Sequence, residues 1–127
     1  MPNANKDKGD RAERAVRDHL VDAGLPKVKK TRAGFDDDLG DIVVTDPVDR
    51  HRRTILQVKD VASPQWSKWH DQVASQVEVA EAEHGVIVHK RRRSPGCTGQ
   101  VQEWNVVMTL EQYTALLVRL GYRGPIV

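Results

Sequence analysis

The chain has 127 residues, enough for one domain with a real core and too few for two. Charged side chains make up 30% of it but the net charge is only +2, so partners must be sought in the distribution of charge rather than its sum. The single Cys97 excludes an internal disulfide and a cysteine-rich zinc site, and no apolar run approaches the ~20 residues of a membrane span.

The polar N-terminus has no signal-peptide core, which predicts a soluble, cytoplasmic protein, and residues 1–8 are expected to be a disordered leader. From Asp10 to Ala23 the pattern is helical: Ala12, Val16, Leu20 and Ala23 form one stripe, with Arg11, Arg14, Asp18 and Asp22 opposite. Glu13 falls about 20° from Leu20, on the border of that stripe, where an acid either meets Arg17 four residues on or serves a site. Gly24-Leu25-Pro26 ends the helix. A basic segment from Lys27 to Arg32 predicts a short strand, and an aspartate-rich loop with Asp36, Asp37 and Asp38 follows. Asp41 to Thr45 and Arg53 to Lys59 read as two strands joined by the turn Asp46-Pro47-Val48-Asp49, an antiparallel hairpin.

Ser63-Pro64 predicts a helix start with serine as cap and proline in the first turn, the helix running to about Glu83 before Gly85 stops it. Its apolar face carries Trp66, Trp69, Val73, Val77 and Ala80; the two tryptophans fit core or dimer contacts better than base-stacking platforms. Gln76 lies on the same face and needs a partner there, either in the core or on a substrate. Gly85 to Lys90 is a compact strand, Arg91 to Gly99 a basic loop, and Val101 to Met108 a further strand. Thr109 caps a last helix through Leu120, with Gln112 three residues on as in a capping box. Leu110, Tyr113, Leu116, Leu117 and Leu120 on that helix are core-like. This order predicts an α/β fold with a mixed central sheet flanked by helices, in the sequence α-β-β-β-α-β.

The residues with chemistry gather at strand ends. Asp41 opens one strand, while Gln57 and Lys59 sit two apart, hence on one face, of its neighbour. A carboxylate, an amide oxygen and an ammonium on adjacent strands are parts of a metal-dependent phosphodiester-cleaving site, and Glu13 supplies a second acid. Magnesium takes hard oxygen ligands and keeps several waters, so Asp41, Glu13, the Gln57 amide oxygen and the Val58 carbonyl suffice to hold it, with manganese able to substitute. Lys59 is placed to orient the attacking water or neutralise developing charge. The clusters at Lys27-Lys29-Lys30-Arg32, Arg50-Arg52-Arg53 and Lys90-Arg91-Arg92-Arg93 suit a polyanion, though each also fits a solvated loop. The five histidines share no metal-ligand spacing, and the absence of a Gly-rich phosphate loop argues against a nucleotide cofactor.

Taken in order, the helix Gly9-Asp10-Arg11-Ala12-Glu13-Arg14, the pair Gly40-Asp41 and the triplet Gln57-Val58-Lys59 resemble the PD-(D/E)XK nuclease superfamily. The closest likeness is to small Holliday junction resolvases of archaeal and phage type, over residues 8–90. The resemblance implies a restriction-endonuclease-like fold and a Mg²⁺-dependent endonuclease acting in DNA recombination and repair. It also implies a homodimer cutting four-way or other branched DNA, with Arg32 or Arg14 on backbone phosphates and Gln76 as a substrate or water contact. Lys30, Arg91 and Arg92 are the further candidates for DNA binding. One departure is Gln57, where the superfamily usually has Glu or Asp: glutamine offers an oxygen without charge, which lowers metal affinity and favours one ion over two. Asp36, Asp37, Asp38 or Asp60 could supply the missing charge, but Asp60 belongs on the opposite face of a regular strand. The alternatives are a branched-DNA-binding or structural subunit that cleaves weakly, and a restriction- or repair-type nuclease.

Overall fold

The computed structural model describes residues 4–30 and 41–124 of the chain. Its elements are α1 (Ala4–Asp22), β1 (Val28–Lys30), β2 (Ile42–Thr45), β3 (Arg53–Lys59), α2 (Trp66–Ala80), β4 (His84–His89), β5 (Asn105–Val107) and α3 (Leu110–Arg119). The five strands form one sheet in sequential order, antiparallel except for the parallel pair β3–β4 that α2 connects. The fold is therefore mixed α/β, a five-stranded sheet flanked by helices.

Two apolar layers fix which helix covers which face. Ala12 and Val16 of α1 pack on Ile42, Leu56, Val58, Val86 and Val88, whereas Trp69 and Val73 of α2 pack on Ile87. Alternation along a strand sends Val86 and Val88 to one face and Ile87 to the other. β3 and β4 lie at the centre with both faces covered, which is why each carries an unbroken buried run, Ile55 to Val58 and Gly85 to Val88. The approach of α2 to β4 is close: a Cβ on Gly85 would lie 2.6 Å from Val73 Cγ1 and 2.7 Å from Val77 Cγ2. Glycine serves here as a packing residue, inside the strand rather than as the stop of α2.

Several boundaries differ from the sequence reading. α1 begins at Ala4, so residues 4–8 are helical rather than a disordered leader, and Lys8 in this added turn reaches Asp60 beyond β3. α2 starts at Trp66 behind Gln65, which makes no side-chain cap bond, so Ser63-Pro64 do not cap it. The segment before it is tied instead to β4, through His89 Nε2 and the Val61 carbonyl at 2.8 Å. α2 also ends early, with Glu81 in the left-handed region (φ 52°) and Ala82 N–H returning to the Val77 carbonyl. Val101 to Glu103 form a 3-10 turn, leaving only Asn105 to Val107 as strand. Thr109 does cap α3, accepting from Gln112 N–H at 3.2 Å, but Gln112 turns its own amide oxygen to Gly85 N–H rather than closing the box.

The largest correction concerns α3. None of its residues is buried, with Leu110 81% and Val118 47% exposed and Leu120 just after it 65%, so its apolar residues are not core. Its amphipathic pattern is genuine, and among the described residues it is met only in part: Leu116 and Leu117 are half-buried, and Gln112 and Arg119 reach Gly85 and Glu83. Among the described residues no helix is long and apolar enough to cross a membrane.

Candidate active site

β3 runs out of the core towards Lys59, and the predicted residues meet at that end. Opposite it, Asp41 precedes β2, and its Oδ2 accepts the Val58 N–H at 2.8 Å. The carboxylate thus takes the place of a ladder carbonyl at the point where the β2–β3 register ends at Ile42↔Leu56. In a strand the N–H and C=O of one residue point to the same side, so the Val58 carbonyl is directed towards the Asp41 edge. Together they place Asp41 and Val58 side by side.

Gln57 is 4% exposed and Gln76, on the facing helix α2, 6%. Gln57 Nε2 donates to Gln76 Oε1 at 3.3 Å, which gives Gln76 its core partner. Gln57 Oε1 is buried and has no hydrogen-bond partner. An unpaired buried carbonyl oxygen costs roughly 1–3 kcal/mol, a cost that a water, a donor or a cation beside it would remove. Only one other side-chain atom among the described residues shares this condition, Arg53 Nε, at the opposite end of β3.

Lys59 lies beside these groups. Its ammonium is 3.5 Å from Gln72 Oε1 and 5.5 Å from the centre of the Trp69 ring. Burial holds its pKa below the ordinary value of 10.5 and Lys68 adds to this, against the opposing pull of Asp41 and Glu13. Glu13 reaches the site from α1, half-buried on the border of its stripe. Its Oε2 pairs with Lys30 Nζ at 3.3 Å, so the alternative pairing with Arg17 is not formed; Arg17 bonds Asp18 instead. Burial and then the charge of Asp41 raise the Glu13 pKa above 4.5, and Lys30 only partly offsets them. Glu13, Asp41 and Lys59 therefore act on one another's charge at this strand end, and the orphaned amide oxygen belongs to the residue two positions back along β3.

The predicted DNA-binding residues fare unevenly. Lys30 is drawn to the site, held between Glu13 and Asp10, the latter at 3.5 Å. Arg14 is exposed and donates to the Asp10 carbonyl of its own helix, at 3.4 Å. Arg91 is exposed, while Arg92 bonds Asp60 at 2.8 Å. Arg32, Asp36, Asp37 and Asp38 lie outside the described residues. Asp60 faces Lys8, Lys90 and Arg92. Trp66 packs edge-on against Trp69 and His89, with centroids 5.2 and 5.3 Å apart, so the aromatic pair is chiefly a structural cluster.

Gln72 is the site residue that sequence reasoning missed. It sits one helical turn before Gln76, and an i, i+4 step from a buried polar residue was the available signal. Among the described residues no group of three or more histidine, cysteine, aspartate or glutamate side chains could hold a metal ion. No family model, curated protein or solved structure matches the chain.

Proposed function

We propose that the chain is a metal-dependent DNA endonuclease with a restriction-endonuclease-like sheet, acting as a Holliday junction resolvase. The observation that carries the proposal is Gln57 Oε1, a buried, unpartnered oxygen on the strand that also presents Lys59 and the Val58 carbonyl. Glu13 and Asp41 repel each other near the same strand end, and a divalent cation shared by these groups and the Gln57 oxygen would relieve both defects at once. Asp41, Glu13, the Gln57 amide oxygen and the Val58 carbonyl would hold Mg²⁺, or Mn²⁺ in its place. A bound ion supplies an acidified water and charge neutralisation at the phosphate.

The remaining work belongs to the chain. Lys59, steadied by Gln72, orients a water or meets charge on the phosphate oxygens. Gln76 accepts from the Gln57 nitrogen, so the Gln57 oxygen is the amide atom that would be left to hold an ion. Each chain carries one such site and a junction has two opposed strands to cut, so the active form is a two-fold homodimer. The same hydrogen bond favours a second reading, in which a neutral, tethered Gln57 leaves a module that binds branched DNA and cleaves weakly.

The test is cleavage of an immobile four-way DNA junction beside plain duplex, with Mg²⁺, with EDTA and with Asp41→Asn. Paired symmetric nicks in the junction alone, lost with EDTA and in the variant, are expected. Equal cutting of duplex would make the protein a broader nuclease, and tight junction binding without cutting in Mg²⁺ or Mn²⁺ would favour the binding module.

A further inference from the structure

One residue past Lys59, the Asp60 carboxylate is 2% exposed and meets three cations from two distant parts of the chain. Lys8 comes from the first turns of α1 at 3.7 Å, Lys90 from the end of β4 at 3.5 Å, and Arg92 from the loop beyond at 2.8 Å. The acid is covered, but the cations are not: Lys8, Lys90 and Arg92 remain 36%, 32% and 47% exposed. One negative charge under three positive ones leaves a local excess of two. Two carboxylate oxygens cannot take up the donors of two ammoniums and a guanidinium, so donors are left for a further anion. The Lys90 N–H donates to the Lys59 carbonyl at 2.9 Å and the Lys90 ammonium lies 5.6 Å from the Trp104 ring, which locks this cluster to the candidate site.

We infer that Asp60 organises Lys8, Lys90 and Arg92 into a platform for the backbone phosphates of a nucleic acid running past Lys59. The inference rests on the nucleic-acid reading of the site and adds where the strand lies. Long cationic side chains lose rotamer freedom when they grip a phosphate, and a buried anchor that orders them beforehand reduces that loss. Asp60 is therefore a positioning residue that helps an anion bind although it is itself an anion. Net charge alone gives the opposite sign: removing a carboxylate from a DNA-binding surface should tighten binding.

The experiment is equilibrium binding of a four-way DNA junction in EDTA across a range of salt, so that cleavage plays no part. Asp60→Asn is expected to bind about tenfold more weakly than wild type. Lys8→Gln/Arg92→Gln, two changes on the surface that leave Asp60 in place, is expected to flatten the slope of log affinity against log salt by about two. Arg119→Gln/Arg123→Gln removes the same charge from the exposed C-terminal part of the chain, where Arg119 meets Glu83 by the start of β3, and is expected to leave the slope unchanged. Tighter binding by Asp60→Asn, or equal slopes for the two double variants, would overturn the platform; should Asp60→Asn not fold, the double variants decide alone. Wild type that cleaves junctions with unaltered binding in Lys8→Gln/Arg92→Gln would sink the platform and spare the nuclease. Wild type without salt-dependent binding would sink the nucleic-acid reading, and the platform with it.

Discussion

At the start of β3, Glu83 lies between Arg119 at 2.6 Å and Arg52 at 3.1 Å, and Arg52 reaches on to Asp46 at 3.4 Å. At the other end, Glu13 shares one lysine with Asp10 and faces the charge of Asp41. Both acids feel desolvation. For Glu83 the hydrogen bonds from Arg119 and Arg52 overcome it and lower the pKa below 4.5, whereas for Glu13 the neighbouring carboxylate reinforces it and raises the pKa. The first end also borders an open depression of about 250 Å³, lined in part by Leu25, Arg53 and Glu83, and holds the other buried side-chain atom without a partner among the described residues, Arg53 Nε. At one end the acid's neighbours are cations that lower its pKa, and at the other a neighbouring carboxylate raises it. Charges that satisfy each other hold a fold together; charges in conflict make a place a candidate for binding.

The largest effect that sharpens this contrast is on chemistry. Asp41→Asn and Lys59→Met should each lower single-turnover junction cleavage by about 10²–10³-fold or more. Neither should unfold the protein in EDTA, because the first keeps an acceptor for Val58 N–H and the second removes a charge that burial disfavours. Cleavage within threefold of wild type for either would break the contrast. Thermal melts in EDTA check the stability half.

Gln57→Glu supplies the charge that the triplet lacks. It should lower the Mg²⁺ concentration for half-maximal cleavage, while costing about 1–3 kcal/mol of metal-free stability through a buried carboxylate beside Gln76. Urea unfolding with and without Mg²⁺ measures both, and the loss should shrink as the metal saturates. A variant equally stable without metal and no better at using Mg²⁺ would mean that Gln57 does not face an ion.

Smaller, but opposite in sign, are the effects of neutralising each glutamate. Glu83 has a lowered pKa, so its stabilisation is present above 4.5 and disappears as the pH falls through the folded value. Glu83→Gln should therefore destabilise the protein at pH 7, by no more than about 1 kcal/mol for so accessible a network, and become neutral in acid. Glu13 has a raised pKa, so the native chain keeps a proton that the unfolded chain has lost, and stability falls as the pH rises from 4.5 through the folded value. Glu13→Gln should accordingly stabilise the metal-free protein at pH 7 and lose that advantage below 4.5. Unfolding free energies across this range that moved in the same direction for both variants would contradict the account.

Much of this was legible in the chain because the deciding interactions are local or periodic. The Ala12 and Val16 stripe placed α1 and put Glu13 on its border, and the turn at Asp46, whose Oδ1 accepts from Val48 and Asp49 N–H, marked the β2–β3 hairpin. The order of Asp41, Gln57 and Lys59 on two neighbouring strands needed only the twofold alternation of strand residues. Long-range partners were not legible. Nothing near Asp60 in sequence announces Lys8 or Arg92, and nothing near Lys59 announces Gln72. The fate of α3 was hidden for another reason: an apolar stripe states that a face should be covered, not by what, and Leu110 and Leu120 remain exposed. Ser63-Pro64 was misleading because a good capping pair can be held outside its helix by a tether such as His89 to Val61.

The central claim is that the Lys59 end of β3 is completed by a divalent cation. Titration calorimetry with Mn²⁺ on the metal-free protein, without DNA, tests it most directly, comparing wild type with Asp41→Asn and Glu83→Gln. One saturable site per chain, lost in Asp41→Asn and kept in Glu83→Gln, is the predicted result. No saturable binding, or binding that survives Asp41→Asn unchanged, would contradict it.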